Sequence, residues 1–412
     1  MTVYYLPLED VASRYTAQLT KWMLSTFEEE GDRGDTVVIN GSGAPEDIQS
    51  GSVLDACGRS VFAMSQCQEL CRRIDKGEVR SGDVIFLQDF WTPGIEGVFY
   101  SLEVKGIKRV KVMAMVHAQT YDKHDFTYSM LDWMRPYETG MLEWIATHGG
   151  CLFVASSIHR DLIREAYITE EESAVTSVPI HVVGLPYNYK QVASEYSDLL
   201  HTNKIRGKIV FSSRLDPEKR PEALIAIAEG LIVSGRMDEM MLVVTSSRPR
   251  SALPSEVVAE LDRLHLASDG QVVLKAGLSK REYYQELASA RMQLNTALQD
   301  FVSWTLLEAL TFGCTPVYPA YRSFPEILTE EYLYTNRKMP DELANYAVAH
   351  ILKQLDSPIK SPSELPRDLL KLCSLGRRLE VEMALGKAPT GPEVTVWDFY
   401  NNPLGSLFLR GL

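Results

Sequence analysis

Residues 300–316 read DFVSWTLLEALTFGCTP, and they follow an apolar run at 292–298 that has the pattern of a buried strand. Ser303 is a suitable N-cap for a helix, and Gly313 and Pro316 end the helical pattern that follows it. The segment therefore predicts a strand, a polar turn and a helix, which is the repeating unit of parallel α/β sheets.

Two carboxylates, Asp300 and Glu308, stand on either side of the start of this helix. A helix N-terminus that follows a strand is a natural anion site, because its free N–H groups and the helix dipole point the same way. We expect the N–H groups ahead of Glu308 to hold phosphate and Glu308 to accept hydrogen bonds from sugar hydroxyls. The alternative is that Glu308 is an ordinary exposed helix glutamate.

Short β-rich apolar runs alternate with helical patterns along most of the chain, which predicts parallel sheets covered by helices. Strands are predicted at 3–8, 36–40, 83–88, 110–117, 151–156, 180–185, 208–213, 241–246, 271–276, 292–297 and 315–319. Helices are predicted at 15–29, 54–76, 94–104, 137–147, 157–166, 221–234, 255–265, 279–290, 305–313, 339–355 and 366–385.

This pattern predicts an α/β protein with two doubly wound, Rossmann-like domains that face a central cleft. We expect the first domain at 1–195 and the second at 196–385. The final segment, 386–412, is rich in aromatic residues and is predicted to pack back on the first domain.

The composition is that of an ordinary globular protein, with 45% apolar and 24% charged residues among 412. No apolar run reaches the roughly 20 residues that span a bilayer, and the N-terminus lacks the pattern of a signal peptide. We therefore expect a cytoplasmic protein. The six cysteines show no CxxC pair, so reduced thiols are expected.

The net charge of −13 is concentrated in the first half of the chain. Residues 1–195 carry 17 Lys and Arg against 28 Asp and Glu, whereas residues 196–412 carry 25 against 27. A polyanionic partner would have to be met by local basic patches, and two candidates are Arg72, Arg73, Lys76 and Arg80, and Lys105, Lys108, Arg109 and Lys111. The alternative is that these are solvated ends of helices and strands.

A second motif, SSRLDPEKRPEALI at 212–225, places Arg214 at the end of a strand and Lys219 just before a helix that Pro221 opens. Two cations at a strand tip and a helix entrance can neutralise a diphosphate and stabilise it as a leaving group. The alternative is a pair of surface salt bridges.

Together the two motifs resemble the retaining GT-B glycosyltransferases of the family 4 type. The resemblance rests on Arg-x4-Lys followed by acid-x7-Glu within LLEAL and then GCTPV, and it covers roughly residues 207–330. It includes KAGLSKREYYQELASA at 275–290, where the family has a strand, a turn that touches the base, and a helix.

The resemblance implies an acceptor-binding domain at 1–195 and a nucleotide-sugar-binding domain at 196–385, and it implies the roles of the residues in the second domain. Arg214 and Lys219 would bind the donor diphosphate and assist catalysis, Glu308 would bind the donor ribose, and Asp300 would contact the transferred sugar. The family has Glu at the position of Asp300, so the shorter side chain puts that contact in doubt. Further donor-binding residues would be Lys275, Gly277, Leu278, Phe301, Val302, Ser303, Trp304 and Thr305.

In the first domain, His117 ends a predicted strand where family members present a histidine toward the reacting centre; a structural histidine is the alternative. Acceptor contacts are expected from Glu9, Asp89, Trp91, Gln119 and Tyr121. The resemblance also implies front-face displacement with retention, a UDP-sugar as the expected donor, no further cofactor and no essential metal ion.

The acceptor has several candidates. The opening YYLPLEDVASRYTAQLTKW resembles glycosyltransferases of tailed bacteriophages, some of which modify hydroxymethylated pyrimidines in double-stranded DNA. A bacteriophage origin would imply that the protein works in the host cytoplasm. The DFVSWTLLEA segment is also similar to glycosyltransferases that mannosylate a modified tRNA nucleoside. A small sugar, a lipid or a protein acceptor, and a non-catalytic nucleotide-binding protein on the same scaffold, stay open as alternatives. The oligomeric state is not indicated by the sequence.

Overall fold

The computed structural model describes residues 1–11, 15–31, 36–43, 56–117, 120–125, 127–128, 131–167 and 174–387. The chain divides into two compact units. The first unit comprises Met1–Pro186 together with the chain from Leu372 onward, and the second comprises Tyr187–Lys371.

The first unit contains a parallel sheet of six strands in the order β2-β1-β3-β4-β5-β6. The strands are β1 (Val3–Leu6), β2 (Thr36–Val38), β3 (Val84–Leu87), β4 (Lys111–Met115), β5 (Gly150–Val154) and β6 (Ile180–Val182). Its helices are α1 (Tyr15–Glu30), α2 (Ala56–Asp75), α3 (Ile95–Val104), α4 (Leu131–His148) and α5 (Ser157–Tyr167). Every residue of β1 and of β3 is buried, as expected for strands covered by helices on both faces.

The second unit repeats this architecture with the strand order β12-β11-β10-β7-β8-β9. Its strands are β7 (Ile205–Phe211), β8 (Met241–Thr245), β9 (Val272–Lys275), β10 (Ala290–Leu294), β11 (Thr315–Pro319) and β12 (Leu333–Tyr334). Its helices are α6 (Tyr189–Glu195), α7 (Pro221–Val233), α8 (Ser255–Ala267), α9 (Lys280–Ser289), α10 (Trp304–Thr311), α11 (Phe324–Ile327) and α12 (Pro340–Asp356).

The strand order reverses once in each sheet, and this is where ligands bind in doubly wound proteins. In the first unit the reversal lies between β1 and β3, and in the second unit it lies between β7 and β10. The loops that follow these four strands therefore form the expected ligand edge of each sheet.

Helix α13 (Asp368–Ala384) lies mainly in the first unit, although we expected residues 196–385 to form one domain. Arg377 of this helix donates a hydrogen bond to the Thr26 hydroxyl in α1 over 2.9 Å. A Cβ at Gly376 would lie 1.8 Å from the Val183 carbonyl oxygen, so the glycine allows α13 to pack directly on the chain after β6. Tyr187–Glu195, expected in the first domain, belongs to the second unit.

Most of the final segment, 386–412, lies outside the described residues, so its predicted packing stays a prediction. Within the part of the chain that the structure describes, none of the helices combines the length and the apolar character needed to cross a bilayer.

Candidate functional site

Lys219 and Asp300 form an ion pair at the carboxyl edge of the second sheet, at the reversal between β7 and β10. Lys219 ends a short 3-10 turn (Pro217–Lys219) after β7, and Asp300 lies in the loop after β10. The Asn295 amide also donates to the second Asp300 carboxylate oxygen over 3.4 Å. Burial acts to raise the pKa of Asp300, but Lys219, together with hydrogen bonds from Lys219, Asn295 and Ser303, holds this pKa below its ordinary value.

The two loops that carry this ion pair are joined by main-chain contacts. The Thr296 hydroxyl donates to the Lys219 carbonyl oxygen over 2.6 Å, and the Leu298 N–H donates to the Glu218 carbonyl oxygen over 3.1 Å. These bonds hold the two loops together, and among the described residues the Lys219 ammonium is observed to use one of its three N–H donors, on Asp300.

Arg214 lies at the end of the same loop region with its guanidinium half exposed. Its Nη1 lies 3.1 Å from an Asp216 carboxylate oxygen, and its Nη2 lies 2.6 Å from Glu218 Oε1. The salt bridges that we considered as the alternative for Arg214 are thus present. They leave part of the fork of five N–H donors available at the ligand edge, so the two readings are compatible.

Glu308 is buried within helix α10, with 4% of its surface exposed. Its carboxylate accepts hydrogen bonds from Lys280, from the Tyr283 hydroxyl over 3.0 Å and from the Tyr284 hydroxyl over 3.1 Å. The alternative of an ordinary exposed glutamate is therefore wrong. Burial, followed by the charge of Glu308, raises the pKa of Tyr283 well above its ordinary value, so this hydroxyl stays a donor.

The N-terminus of α10 has the N-cap that the sequence predicts, because Ser303 has extended backbone angles ahead of the helix. Its hydroxyl makes no capping bond and instead lies 2.8 Å from the Thr305 hydroxyl. Phe301 and Val302 are buried, and the Trp304 ring packs edge-on against Tyr187 with centroids 6.2 Å apart. Of the five donor-binding residues predicted here, the three apolar ones therefore pack against other residues, and the two hydroxyl groups contact each other.

Residues 275–278 comprise the last residue of β9 and the turn after it, at the position predicted to meet the base of the donor. The Gly277 N–H donates to the Arg248 carbonyl oxygen over 2.8 Å, and the Leu278 N–H donates to the Ser246 carbonyl oxygen over 3.0 Å. The Lys275 ammonium forms an ion pair with Glu286 at 2.6 Å. A base at this position would thus meet a segment held in place by the loop after β8.

Sequence reasoning missed four residues around the second-unit site, namely Lys280, Tyr283, Tyr284 and Arg248. The signal for the first three was present, because Ser279 and Glu282 form a capping box that fixes the start of α9. From that start, Lys280 and Tyr284 fall one turn apart on a single helix face. Nothing in the sequence singles out Arg248.

In the first unit, Glu9 and Asp89 converge on one buried arginine, Arg59, which the sequence did not indicate. Arg59 Nη1 lies 2.5 Å from Glu9 Oε2, and Nη2 lies 3.2 Å from Asp89 Oδ2. All three residues are buried at the reversal between β1 and β3. Burial raises the pKa of Asp89, against the opposing effects of Arg59 and His117.

Of the other first-domain residues predicted for the site, Trp91 and His117 lie beside Asp89. The Trp91 N–H donates to Asp89 Oδ1 over 3.1 Å, and His117 Nε2 lies 2.9 Å from the Gln88 carbonyl oxygen. Tyr121 packs edge-on against Tyr167 with ring centroids 5.6 Å apart. Gln119 lies outside the described residues.

The two candidate basic patches meet at the amino edge of the first sheet, opposite the edge that carries Asp89. The Gly82 N–H donates to the Arg109 carbonyl oxygen over 3.1 Å, and the Lys111 N–H donates to the Asp83 carbonyl oxygen over 3.0 Å. Lys105 forms an ion pair with Asp75 at 2.7 Å. The patches thus form one surface that carries both signs of charge.

The described residues contain no group of three or more His, Cys, Asp and Glu side chains that could hold a metal ion. The site of the second unit is instead built from cations and carboxylates in pairs.

Two doubly wound parallel sheets, each with polar side chains at its reversal of strand order, define the GT-B fold, which confirms the expected fold class. The solved structure of a UDP-forming α,α-trehalose-phosphate synthase from Burkholderia xenovorans is similar, with a TM-score of 0.62 and 12% identity, over 95% of this chain and 100% of that one. An E. coli structure described as trehalose-6-phosphate bound with UDP-2-fluoro glucose has a TM-score of 0.58 and 11% identity, over 94% of this chain and 100% of that one.

The pneumococcal O-GlcNAc transferase GtfA in complex with UDP and GlcNAc is also similar, with a TM-score of 0.51 and 12% identity. That match covers 84% of this chain but only 61% of the transferase. Among curated proteins, the tRNA-queuosine alpha-mannosyltransferase of Drosophila melanogaster is 23% identical over 178 residues, which is 43% of this chain and 45% of that protein. The chain thus matches less than half of this relative, and no protein-family model matches the chain.

Proposed function

We propose that this protein is a glycosyltransferase that moves a sugar from a nucleotide-diphosphate sugar to an acceptor hydroxyl. The observation that carries the proposal is the convergence of Arg214, Lys219 and Asp300 at the reversal of strand order in the second sheet. The buried carboxylate of Glu308 lies in the helix that starts beside them. The fold shared with the trehalose-phosphate synthase and with the UDP-bound transferase supports this reading.

The chemistry follows from the charges of these residues. Departure of the nucleoside diphosphate builds negative charge on its terminal phosphate, and the fixed cations Arg214 and Lys219 can stabilise that charge. Because Asp300 is paired with Lys219 and its pKa is lowered, it is a weak base, suited to accept a hydrogen bond from a sugar hydroxyl. Glu308 would receive the ribose hydroxyls in the same way.

We further propose that transfer proceeds with retention, by front-face attack of the acceptor assisted by the leaving phosphate. Catalysis then depends on positioning and charge stabilisation. The donor in this proposal is a UDP-sugar, and the two cations do the work that a divalent ion does in other sites, so activity should persist in a chelator. The anomeric configuration of the product, read by NMR, tests retention directly.

Release of nucleoside diphosphate from a panel of UDP-, GDP- and ADP-sugars tests the proposal. The wild-type protein should cleave at least one donor slowly, and Arg214→Ala should lower that rate roughly a hundredfold. The matched control is Arg263→Ala. Arg263 lies on helix α8, is half exposed like Arg214, and also pairs with two carboxylates, those of Glu229 and Glu260. A wild-type protein that binds a donor without turnover would instead be a nucleotide-binding protein, and one that neither binds nor cleaves any donor would contradict the proposal.

For the acceptor, we propose a modified nucleoside within a nucleic acid. Two resemblances support this class: the similarity to the Drosophila tRNA-queuosine alpha-mannosyltransferase over 178 residues, and the bacteriophage-like opening of the chain. The first favours a tRNA nucleoside because it is much longer, while a hydroxymethylated pyrimidine in bacteriophage DNA is the second candidate.

Mass spectrometry of transfer RNA and of hydroxymethylated duplex DNA, each incubated with the donor panel, separates the two acceptors. A mass increase of one hexose on a tRNA nucleoside, and none on DNA, is the expected result. Binding of the true acceptor should weaken as salt rises, because contacts to phosphates release counterions. If neither nucleic acid gains mass while a donor is still hydrolysed, the acceptor is a small sugar, a lipid or a protein.

A further inference from the structure

A second arginine, Arg248, lies beside Arg214 in the second-unit site. The Asp216 carboxylate binds Arg214 through one oxygen at 3.1 Å and Arg248 through the other at 3.4 Å. The two guanidinium groups thus lie close together, because each contacts a different oxygen of the same carboxylate. Arg214 is half exposed, whereas the Arg248 side chain is only 16% exposed.

The loop that carries Arg248 also holds the segment predicted to meet the base. The carbonyl oxygens of Ser246 and Arg248 accept from the Leu278 and Gly277 N–H groups. The Arg248 N–H in turn donates to the Ser246 hydroxyl over 3.1 Å, which fixes the start of the loop. The main chain of Arg248 therefore contacts the segment predicted to meet the base. Its side chain shares the Asp216 carboxylate with Arg214, which is predicted to bind the diphosphate.

The Arg248 guanidinium has more N–H donors than its observed side-chain hydrogen bond uses. A guanidinium carries five N–H groups. Within the described part of the chain, the side-chain bond observed for Arg248 is the one to Asp216. An arginine held by a single carboxylate at the ligand edge of a doubly wound sheet is well placed for a bidentate contact with an oxyanion.

We propose that Arg248 is a further donor-binding residue whose guanidinium contacts the diphosphate of the nucleotide sugar. The proposal rests on the donor site proposed above and adds a third cation to Arg214 and Lys219. Asp216 then orients both arginines, and the loop after β8 links recognition of the base to recognition of the phosphates.

Calorimetric binding of UDP, UMP and uridine tests this assignment. Arg248→Ala should weaken UDP binding roughly ten- to hundredfold, as expected for a lost charge-assisted hydrogen bond, and should leave uridine binding unchanged. Arg248→Lys, which keeps the charge, should recover part of the loss. The control is Arg250→Ala, two residues along the same loop, because Arg250 points to Asp262 of helix α8. Thermal unfolding of each variant shows whether the loop stays folded.

Each other outcome overturns the assignment and identifies what failed. If Arg248→Ala binds UDP as tightly as Arg250→Ala does, Arg248 makes no phosphate contact, and the donor site stands without it. If UDP and uridine weaken equally, Arg248 only supports the base segment. If the wild-type protein binds neither UDP nor the other nucleoside diphosphates, GDP and ADP, the donor site itself is wrong and Arg248 falls with it.

Discussion

Glu380 in helix α13 is a carboxylic acid with no exposed surface. Both of its oxygens are buried without a hydrogen-bond partner among the described residues. Burial raises the pKa of Glu380 well above its ordinary value of 4.5, and Arg377 opposes this only in part. Folding therefore favours the neutral acid relative to the unfolded chain, which costs stability whenever the unfolded chain would ionise this carboxyl group.

This raised pKa fixes the direction of a pH effect on stability. Below pH 4.5 the acid is protonated in both states, and as the pH rises the unfolded state alone loses its proton. Glu380→Gln should therefore be more stable than the wild type, with a gain that grows by about 1.4 kcal/mol per pH unit above the ordinary pKa until the folded carboxyl ionises. Denaturant unfolding at pH 5, 6 and 7 measures the gain.

Glu382→Gln provides the matched control two residues along the same helix. Glu382 is also buried, but its carboxylate lies 2.9 Å from Arg378 Nε. Its substitution should lower the free energy of unfolding by about 1 kcal/mol or less, with no gain at higher pH. A Glu380→Gln variant whose stability runs parallel to that of the wild type from pH 5 to 7 would show that Glu380 is ionised in the folded protein.

The Lys219–Asp300 pair is the part of the site that could be predicted best from the sequence. Both residues follow predicted strands, and the carboxyl ends of parallel strands share one edge. Arg59 could not be predicted in this way. It lies on α2, 50 residues from Glu9 and 30 from Asp89, and a helical pattern does not tell which strand ends a side chain will meet.

At the scale of the element, helix α9 is held to α10 by the polar contacts of Glu308. Lys280 is the first residue of α9, so its position depends on the capping box of Ser279 and Glu282. The Ser279 hydroxyl accepts from the Glu282 N–H, and the Glu282 carboxylate accepts from the Ser279 N–H. The start of α9 thereby fixes one of the three donors to the buried carboxylate.

Ser279→Ala should cost about 1 kcal/mol of stability, as is usual for a lost N-cap. It should also weaken UDP binding severalfold, because Lys280 loses its fixed position against Glu308. Ser361→Ala is the control, since Ser361 and Glu364 form the same capping box on a 3-10 turn of three residues. Equal effects of the two substitutions on UDP binding would contradict a role for the start of α9 in the donor site.

The helices and strands could be predicted closely wherever the apolar pattern was long. Strand β11 was predicted at 315–319 and found at Thr315–Pro319, and α7 was predicted at 221–234 and found at Pro221–Val233. The two-residue strand β12 was missed because so short a segment has no periodicity. Helix α4 was predicted at 137–147 but begins at Leu131, with Pro136 inside the helix, where a proline cannot donate the usual main-chain hydrogen bond.

At the scale of the whole molecule, the boundary of the second unit could not be predicted because helix patterns do not reveal which sheet a helix covers. Helix α13 follows α12 in the sequence after a short loop, yet its contacts are with α1 and with the chain after β6. Conversely, the segment from Tyr187 belongs to the second unit, where the Tyr187 hydroxyl lies 3.0 Å from the Thr311 hydroxyl of α10.

These contacts predict which fragment of the chain folds by itself. A fragment of residues 187–371 keeps Tyr187 against α10 and all residues of the proposed donor site, so it should unfold cooperatively and, if the proposal holds, bind UDP. A fragment of residues 196–385, the boundary suggested by the sequence, lacks Tyr187 and exposes the apolar face of α13, so it should aggregate or melt at a lower temperature. Calorimetry and UDP titration of both fragments decide the matter. Should the second fragment prove the more stable, α13 would belong with the nucleotide-binding unit after all.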